Sequence, residues 1–324
     1  MQKPYIQHDG RIISDTTFKH VMAITLDPRS NYEVGIIRCI TSRSGNLLYR
    51  GNVDRSVLHK INKNSNGTFS IGEQLKIKNE EEIIKKVTPE GGFDFIGLED
   101  PDIWWEGDDI HVYFTIPFAP TEPKAKFKIY LGHAVGKDLD TLEMTMPVLM
   151  QDSLGGAKEV SIAPINSSGV RLNLVESAHG TRVAIAKDMN GPWEFGDFAF
   201  DPNDHDIPWI GKDASPGPLF SKEFIDVGEG KRLGIINGRE KNEIVDGKVL
   251  YKTFSIGLFI YNYEEGKIEW VSPEPFIQDT EAKIITFASQ LVEHGDGTAI
   301  LYAHVDDSFV RAYTLNTDAI KLLI

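Results

Sequence analysis

Cysteine is almost absent from this sequence. Cys39 is the single thiol in 324 residues, so the chain can form neither an internal disulfide framework nor a cysteine-based metal site. It lies in the apolar run of residues 36–40, where a buried and unreactive thiol is expected rather than a nucleophile. Disulfide-stapled proteins and cysteine-dependent enzymes are therefore excluded.

Long apolar runs are also missing. No stretch approaches the ~20 apolar residues that a membrane-spanning helix requires. The first residues, Met1 to Tyr5, lack the apolar core of a signal peptide. From these two absences we expect a cytoplasmic protein with no membrane partner.

Positive charge is scarce. Lys and Arg number 34 against 48 Asp and Glu, which gives a formal net charge of -14. A chain of this charge repels polyanions, so nucleic acid is excluded as a partner, whereas a neutral sugar is compatible. The histidines lack the spacing of metal ligands, and we expect no metal or other cofactor. A calcium ion in a central channel is left open as an alternative.

Helical periodicity is nearly absent too, with Glu80–Val87 the best short candidate. Elsewhere, short apolar runs alternate with Gly, Asn, Asp and Pro, which is the pattern of β-strands. These strands form five similar groups, which begin at Val34, Asp100, Glu159, Ser215 and Ile284. The starts are 56 to 69 residues apart, a period typical of propeller blades.

We therefore predict an all-β fold, a five-bladed β-propeller in which residues 1–324 form a single domain. The residues before Val34 are expected to close the ring with the last blade. Two β-sandwiches are the alternative, but no linker between residues 150 and 210 separates two units.

Residues 97–105 hold a carboxylate cluster. Glu99, Asp100 and Asp102 occupy three of four successive positions, immediately before strand-forming residues. Pro101 lacks a backbone donor and favours an extended conformation at Asp100, which places that carboxylate at the mouth of a strand. Burying such charges without partners costs several kcal/mol, so the cluster is either a solvated turn or the lining of a site that uses it.

Residues 97–103 resemble the Glu-Asp-Pro-Arg motif of glycoside hydrolase family 130, the β-mannoside phosphorylases and β-1,2-mannosidases. Residues 47–50 are similar to that family's Leu-Leu-Tyr-Arg strand. Lys212 and residues 215–218 are similar to its Lys-Ile-Gly-Pro-Gly-Pro segment, and residues 302–306 to its Tyr-Gly-Ala-Ala-Asp. The four motifs occur here in the family's order, and together they span most of the chain.

This resemblance implies a central funnel where carboxylates from successive blades converge. It implies that Asp100 contacts the sugar and moves the proton, directly or through a hydroxyl. The sequence departs from the phosphorylases, however, at the positions where they hold phosphate. Asp102 replaces the Arg of their motif, and residues 156–159 replace Arg-Asn-Lys-Asp. Glu176 stands near another of their Arg positions, and Asn237 replaces a His. Phosphate needs cationic donors, so we expect water to be the nucleophile and the enzyme to be a hydrolase.

A second resemblance is to glycoside hydrolase family 43, the arabinosidases and xylosidases. Lys158-Glu159 before a strand, with residues 183–188 and 191–194, is similar to that family's third blade. In family 43 the blade-three Glu is the general acid and the blade-two Asp tunes its pKa. This resemblance implies the acid role for Glu159, with Asp100 beside it.

Three carboxylates are thus candidate catalytic residues: Asp100, Glu159 and Glu176. Glu176 ends an apolar strand, where it either activates water or caps a turn. The candidate sugar-binding residues share positions at strand ends: Arg50, Glu99, Trp104, Lys212, Arg239 and Asp306. Because Trp104 and Trp105 alternate faces of one strand, one belongs to the core and the other is available to a sugar ring.

We expect hydrolysis of a short, β-linked, mannoside-like oligosaccharide. Both families invert the anomeric centre, which requires acid and base carboxyl groups ~6.5–9.5 Å apart. Three alternatives stay open: a β-mannoside phosphorylase, an arabinosidase or xylosidase, and a propeller that only binds glycan. In the last case, Asp100 and Glu159 would lie too far apart to act on one bond.

Overall fold

The computed structural model describes residues 4–15, 17–122 and 125–324 of the chain. Strands account for 52% of it and helices for 7%, which makes the protein all-β. The strands, in chain order, are β1 (Tyr5–Gln7), β2 (Ile13–Asp15), β3 (His20–Leu26), β4 (Val34–Ser44), β5 (Val53–Lys63), β6 (Phe69–Gln74), β7 (Phe93–Phe95), β8 (Glu99–Glu106), β9 (Asp109–Pro120), β10 (Lys128–Gly136), β11 (Glu143–Met144), β12 (Lys158–Ser161), β13 (Arg171–Ser177), β14 (Gly180–Ala186), β15 (Glu194–Phe200), β16 (Asp213–Leu219), β17 (Lys231–Arg239), β18 (Glu243–Val245), β19 (Lys248–Leu250), β20 (Phe254–Asn262), β21 (Lys267–Val271), β22 (Thr286–Glu293), β23 (Thr298–Val305) and β24 (Phe309–Asn316).

Two short α-helices accompany these strands: α1 (Glu80–Val87) and α2 (Thr317–Ile320). Helix α1 covers the segment that the sequence predicts as helical. It begins with three glutamates and ends with two lysines, which suits the helix dipole. No helix in the described part of the chain is long and apolar enough to cross a membrane.

Five sheets form the blades of a ring. From the axis outward, blade one is β3–β4–β5–β6, with β2 parallel to β6, and blade two is β8–β9–β10–β11, with β7 also on β9. Blade three is β12–β13–β14–β15, blade four is β16–β17–β20–β21, and blade five is β22–β23–β24–β1. Strands β18 and β19 form a separate hairpin between β17 and β20.

The innermost strands surround the axis. Each contacts the next, in the order β3, β8, β12, β16, β22 and back to β3. Strand β1, from the N-terminal segment, pairs antiparallel with β24 and forms the outer edge of blade five. The last blade is therefore built from both ends of the described chain.

Two details differ from the sequence-based expectation. The first blade begins earlier than Val34, because β3 (His20–Leu26) forms its innermost strand. Residues 47–50, expected as a strand, lie instead in the connection between β4 and β5, where Tyr49 makes one isolated bridge to Leu250. Pairing between β4 and β5 ends at Ser44 and Val53, and the residues between cross to the β18–β19 hairpin of blade four.

The five large apolar clusters of the core lie one between each pair of neighbouring blades. Ile36 of blade one packs with Val112 of blade two, for example, and Leu233 of blade four packs with Leu301 of blade five. The other interfaces are built the same way. Because burial of apolar surface between blades is the main stabilising contribution, the inner strands are fixed relative to one another.

Candidate active site

A bulge interrupts every innermost strand near the axis. The register shifts at Ala23 in β3, at Asp100 in β8 and at Glu159 in β12, with matching shifts in β16 and β22. Ala23, Asp100 and Glu159 all have a left-handed backbone, with φ of 49°, 49° and 51°. Bulges re-aim side chains, and a left-handed φ in a non-glycine residue is strained by about 1–3 kcal/mol. The ring thus repeats one bulge position, which is left-handed in blades one to three and is occupied by a carboxylate in blades two and three.

Arg38 of β4 organises the blade-two carboxylates. Its Nη1 donates to Asp100 Oδ1 at 2.9 Å, its Nε donates to Ser56 Oγ at 2.9 Å, and its Nη2 donates to Glu99 Oε1. Only 7% of the Arg38 side chain is exposed, so these contacts are made in a desolvated environment. Burial raises the pKa of Glu99 to about 7 despite the opposing charge of Arg38.

Asp100 and Glu159 lie on neighbouring innermost strands, and both line the same cavity. Burial opposes the charge on Asp100, but Arg38 and Lys158 outweigh it and lower the pKa of Asp100. Burial, and then the negative charge of Asp100, raise the pKa of Glu159 well above its usual range. Because the two shifts have opposite directions, Glu159 is the carboxyl group of the pair that retains its proton to higher pH.

Lys158 and Glu176 flank this pair in blade three. Lys158 Nζ lies 3.3 Å from Glu176 Oε1 across the β12–β13 ladder. Burial disfavours the charge on Lys158, but Glu176, Glu159 and Asp100 outweigh it, so the pKa of Lys158 is raised. The second carboxylate oxygen of Glu176 is buried and has no hydrogen-bond partner among the described residues. Glu176 thus presents one unoccupied acceptor close to the acid pair.

A cavity of about 630 Å³ opens on the acid pair, within the range of small-ligand sites. Innermost strands of all five blades line it, including Ala23, Asp100, Asp102, Trp104, Glu159, Pro216 and Ser289. Trp104 lies on the cavity side, with Arg171 over its ring at 5.2 Å, whereas Trp105 packs against the core between blades one and two. Burial raises the pKa of Asp102 to about 7.

Two more charged pairs border Arg38. Arg43 binds both oxygens of Asp54 at 2.7 Å and donates to the backbone carbonyl of Asp307 at 2.9 Å. His304 Nε2 lies 3.2 Å from Asp307 Oδ1. Burial opposes the charge on Asp307, but His304, Arg38 and Arg43 outweigh it and lower the pKa of Asp307. The centre is therefore a network of paired polar and charged groups that draws on blades one, two, three and five.

Four predicted sugar-binding residues are not among those that line the cavity. Arg50 is exposed on the connection between β4 and β5. Lys212 lies next to Asp213. Asp213 pairs with Arg239 at 3.2 Å, and the guanidinium of Arg239 stacks on Tyr251. The carboxylate of Asp306 accepts backbone N–H groups of residues 283–285, so it stabilises a turn. Its neighbour Asp307 supplies the carboxylate that faces Arg38.

Asp100 and Glu159 occupy the same bulge position on adjacent innermost strands and line one cavity. Glu176, the candidate base, is not among the residues that line this cavity, and its unpartnered oxygen is buried. The separation of ~6.5–9.5 Å expected between the acid and the base of an inverting enzyme therefore stays a prediction.

Sequence reasoning missed Arg38, Asp307 and the partner role of His304. Arg38 stands alone in an otherwise apolar run, and a charge in such a run must find a buried partner. That signal indicates an ion pair without naming the carboxylates. In the described part of the chain, no group of three or more His, Cys, Asp or Glu side chains is arranged to hold a metal ion.

No protein-family model matches the chain, and no curated protein matches it. Solved structures do. The β-1,2-mannobiose phosphorylase of Listeria innocua, in complex with β-1,2-mannobiose, matches with a TM-score of 0.65 and 12% identity over 98% of this chain and 99% of that one. A proposed glycosidase of Bacteroides thetaiotaomicron has a TM-score of 0.67 at 16% identity, covering 96% of both chains. The arabinanase Arb43A of Bacillus subtilis has 0.56 at 11%, covering 95% of this chain and 96% of its own.

At these identities the likeness establishes the fold. The chain has the five-bladed β-propeller architecture of glycosidases and sugar phosphorylases, and its structural neighbours come from the two families that the motifs resemble.

Proposed function

We propose that the protein is a glycoside hydrolase that cleaves short β-linked, mannoside-like oligosaccharides. The observation that carries the proposal is the pair of Asp100 and Glu159 at the cavity, where burial and the charge of Asp100 raise the pKa of Glu159 and favour its protonated form. Protonating a glycosidic oxygen requires such an acid. The structural likeness to carbohydrate-active propellers supports a sugar as the substrate.

In this mechanism Glu159 donates its proton to the leaving oxygen. Asp100, held ionised by Arg38, keeps the proton on Glu159 beforehand and stabilises positive charge that develops on the sugar ring. Glu176 is the proposed base: the attacking water has to reach its buried, unpartnered oxygen from the cavity and gives up a proton there, and Lys158 keeps that carboxylate in place. The reaction inverts the anomeric centre, because water attacks directly and no covalent intermediate forms.

Water is favoured over phosphate because the buried cations are already occupied. Arg38 contacts Glu99 and Asp100, Lys158 contacts Glu176, and the acid pair adds further negative charge beside them. An incoming phosphate would have to displace a carboxylate from each cation, and it would meet like charge. The alternative is a β-mannoside phosphorylase, the activity named for the Listeria innocua neighbour.

A product analysis separates these proposals. The protein is incubated with β-1,2-mannobiose, xylobiose and arabinobiose, with and without inorganic phosphate, and the products are resolved by chromatography. We expect the wild type to release free sugar without phosphate. Glu159→Gln should lose this activity. Glu143→Gln, whose exposed carboxylate pairs with Lys78 in the wild type, is the control and should keep it. Formation of sugar 1-phosphate only when phosphate is present would establish phosphorolysis instead, and no turnover of any disaccharide would contradict both.

A further inference from the structure

Glu176 does not line the cavity, but Ser161 of the same sheet does. Ser161 ends β12, two residues after Glu159, and it is 3% exposed. Its hydroxyl is buried and has no hydrogen-bond partner in the part of the chain that the structure describes, and the same holds for Oε2 of Glu176. A hydroxyl can donate and a carboxylate can only accept, so the two unpartnered atoms have complementary needs.

Ser161 and Glu176 project from the same face of blade three. Ser161 opposes Leu174 in the β12–β13 ladder, and Glu176 is two residues further along β13. Opposed residues share a face of the sheet, and so do residues two positions apart on one strand. Leu174 belongs to the apolar cluster that includes Ala214 of blade four. Thr181, which opposes Glu176, donates its hydroxyl to the Ala214 carbonyl. The two unpartnered atoms therefore lie at one interface, between blades three and four.

The spacing of the two side chains suits one bridging water. Diagonal neighbours on one face of an antiparallel pair are about 7–8 Å apart, which brings a hydroxyl and a carboxylate within the span of two hydrogen bonds. Lys158 holds Oε1 of Glu176 at 3.3 Å, so rotating the carboxylate would only exchange one unpaired oxygen for the other. Buried polar atoms are rarely left unpaired, and buried waters commonly satisfy two or more of them.

We propose that a water molecule from the cavity is held between Ser161 Oγ and Glu176 Oε2 and serves there as the nucleophile. Ser161 donates to the water oxygen, and the water donates to Glu176. In the reaction this oxygen forms a bond to the anomeric carbon, and one of its protons passes to Glu176. The bond from that carbon to the leaving oxygen breaks, and Glu159 protonates the leaving oxygen. Ser161 is then a positioning residue that acts through the water, and the inference deepens the proposed function on which it rests.

Three variants test this role. Ser161→Ala removes the hydroxyl, and it should fold because that hydroxyl makes no hydrogen bond to the described chain. Ser161→Thr keeps a hydroxyl at the same position. Ser215→Ala is the matched control, since it removes another buried, unpartnered hydroxyl from an innermost strand. Ser215 opposes Asn237, whose side chain bonds to the backbone of Ala288 in blade five. The control hydroxyl therefore lies on the face of blade four that is turned away from blade three.

Steady-state kinetics are measured on whichever of β-1,2-mannobiose, xylobiose and arabinobiose the wild type cleaves best. We expect kcat to fall at least ~10-fold in Ser161→Ala with KM changed less than ~2-fold, because the hydroxyl orients the water and does not bind the sugar. Ser161→Thr should recover part of the loss, and Ser215→Ala should match the wild type. Adding Ser161→Ala to Glu176→Gln should cost less than ~2-fold more, because both residues act on one water.

A folded Ser161→Ala variant with wild-type kcat would overturn the inference and leave the proposed hydrolase intact, and so would full additivity of its loss with that of Glu176→Gln. If Ser161→Ala does not fold, a high-resolution crystal structure of the wild type decides. It should show an ordered water within hydrogen-bonding distance of both Ser161 Oγ and Glu176 Oε2, and a site without that water would overturn the role of Ser161. Failure of the wild type to cleave every disaccharide would remove the proposed function, and this inference with it.

Discussion

Two neighbouring carboxyl groups acquire opposite pKa shifts from their surroundings. Burial opposes the charge on Asp100, but Arg38, which donates to it, helps to lower its pKa, whereas burial and the charge of Asp100 raise the pKa of Glu159. Lys158 is close to both but is already paired with Glu176. In the proposed mechanism, this asymmetry makes blade three the source of the acid and blade two the source of its charged partner.

Substitution Asp100→Asn tests that division directly. It keeps the side-chain shape and removes the charge that raises the pKa of Glu159, so turnover should fall at least ~10²-fold. The residual activity should decline on the alkaline side at a lower pH than that of the wild type, because Glu159 now releases its proton more easily. The dependence of kcat/KM on pH measures both effects. Asp94→Asn, at an exposed aspartate of blade two, should leave the profile unchanged.

Asp102 provides a test through stability. Its pKa is raised to about 7 by burial, and only the backbone N–H of Ile103 opposes the shift. The native state therefore holds this proton between pH ~4, where the unfolded chain releases it, and about 7. The stabilisation from the protonated form is complete below that window and is lost as pH rises through it.

The side chain in Asp102→Asn is neutral at every pH, so the variant does not lose this stabilisation as the pH rises. Between pH 5 and pH 8, its free energy of unfolding should therefore rise relative to that of the wild type by up to a few kcal/mol. Urea unfolding at the two pH values measures the difference. Asp108→Asn, at the exposed turn after β8, is the control. A stability difference between Asp102→Asn and the wild type that is the same at both pH values would contradict the buried, unpaired carboxyl.

At the scale of single residues, strand-start carboxylates are predictable because they follow the repeat of the blades. Asp100 and Glu159 stand immediately before apolar strands in successive groups, and the ring then brings them together. Arg38 has no such signal, since its partners come from a different blade. Asp306, predicted as a sugar ligand, has a carboxylate that accepts backbone N–H groups of residues 283–285, a contact that composition does not reveal.

At the scale of elements, one close approach positions the start of β8. Gly97 has φ of 109°, and a Cβ there would lie 1.9 Å from the carbonyl oxygen of Ser56, whose hydroxyl accepts from Arg38. Only a residue without a side chain lets this segment lie against β5. The glycine thus helps to place Glu99 and Asp100 within reach of Arg38.

Gly97→Ala should therefore destabilise the protein by several kcal/mol and lower activity as well, because either β8 or β5 must move. The matched control is Gly107→Ala at the other end of β8. Gly107 also has a positive φ, 56°, but no atom lies within 4 Å of its added Cβ, so only the backbone cost of about 1–2 kcal/mol applies. Equal losses of unfolding free energy in the two variants would show that the contact with Ser56 has no effect.

The elements of the blades were largely predictable because alternation and turn residues repeat. The innermost strand of blade one was not, because β3 is buried at nearly every position and shows no alternation. The strand expected at residues 47–50 has suitable composition, but its backbone contacts are with residues 249 and 251 of another blade. Tertiary contacts of this kind override local propensity.

At the scale of the whole molecule, β1 and β24 join the two ends of the described chain. Tyr5 packs against Phe276 and Tyr313, and β1 covers the edge of β24. Removing residues 1–8 should lower the thermal midpoint and promote self-association, because the uncovered edge can pair with another chain. Calorimetry and light scattering measure both. Removal of residues 321–324, which are exposed after α2, should have little effect, and equal behaviour of the two truncations would contradict this role for β1.

The arrangement of the blades also explains why the fold is easier to infer than the reaction. Each blade repeats the same strand pattern, whereas the site depends on single residues from blades one, two, three and five that meet only at the axis.

The central claim is that Glu159 donates the proton to the leaving group. Its most direct test compares two substrates that differ in their need for that proton.

The measurement is the ratio of kcat/KM for 2,4-dinitrophenyl β-mannoside to that for β-1,2-mannobiose, in the wild type and in Glu159→Gln. Dinitrophenolate leaves without protonation, whereas a sugar hydroxyl requires it, so only the disaccharide depends on the acid. We predict that Glu159→Gln loses at least ~10²-fold on mannobiose and less than ~10-fold on the dinitrophenyl glycoside. Equal losses on both substrates, or none on mannobiose, would contradict the account.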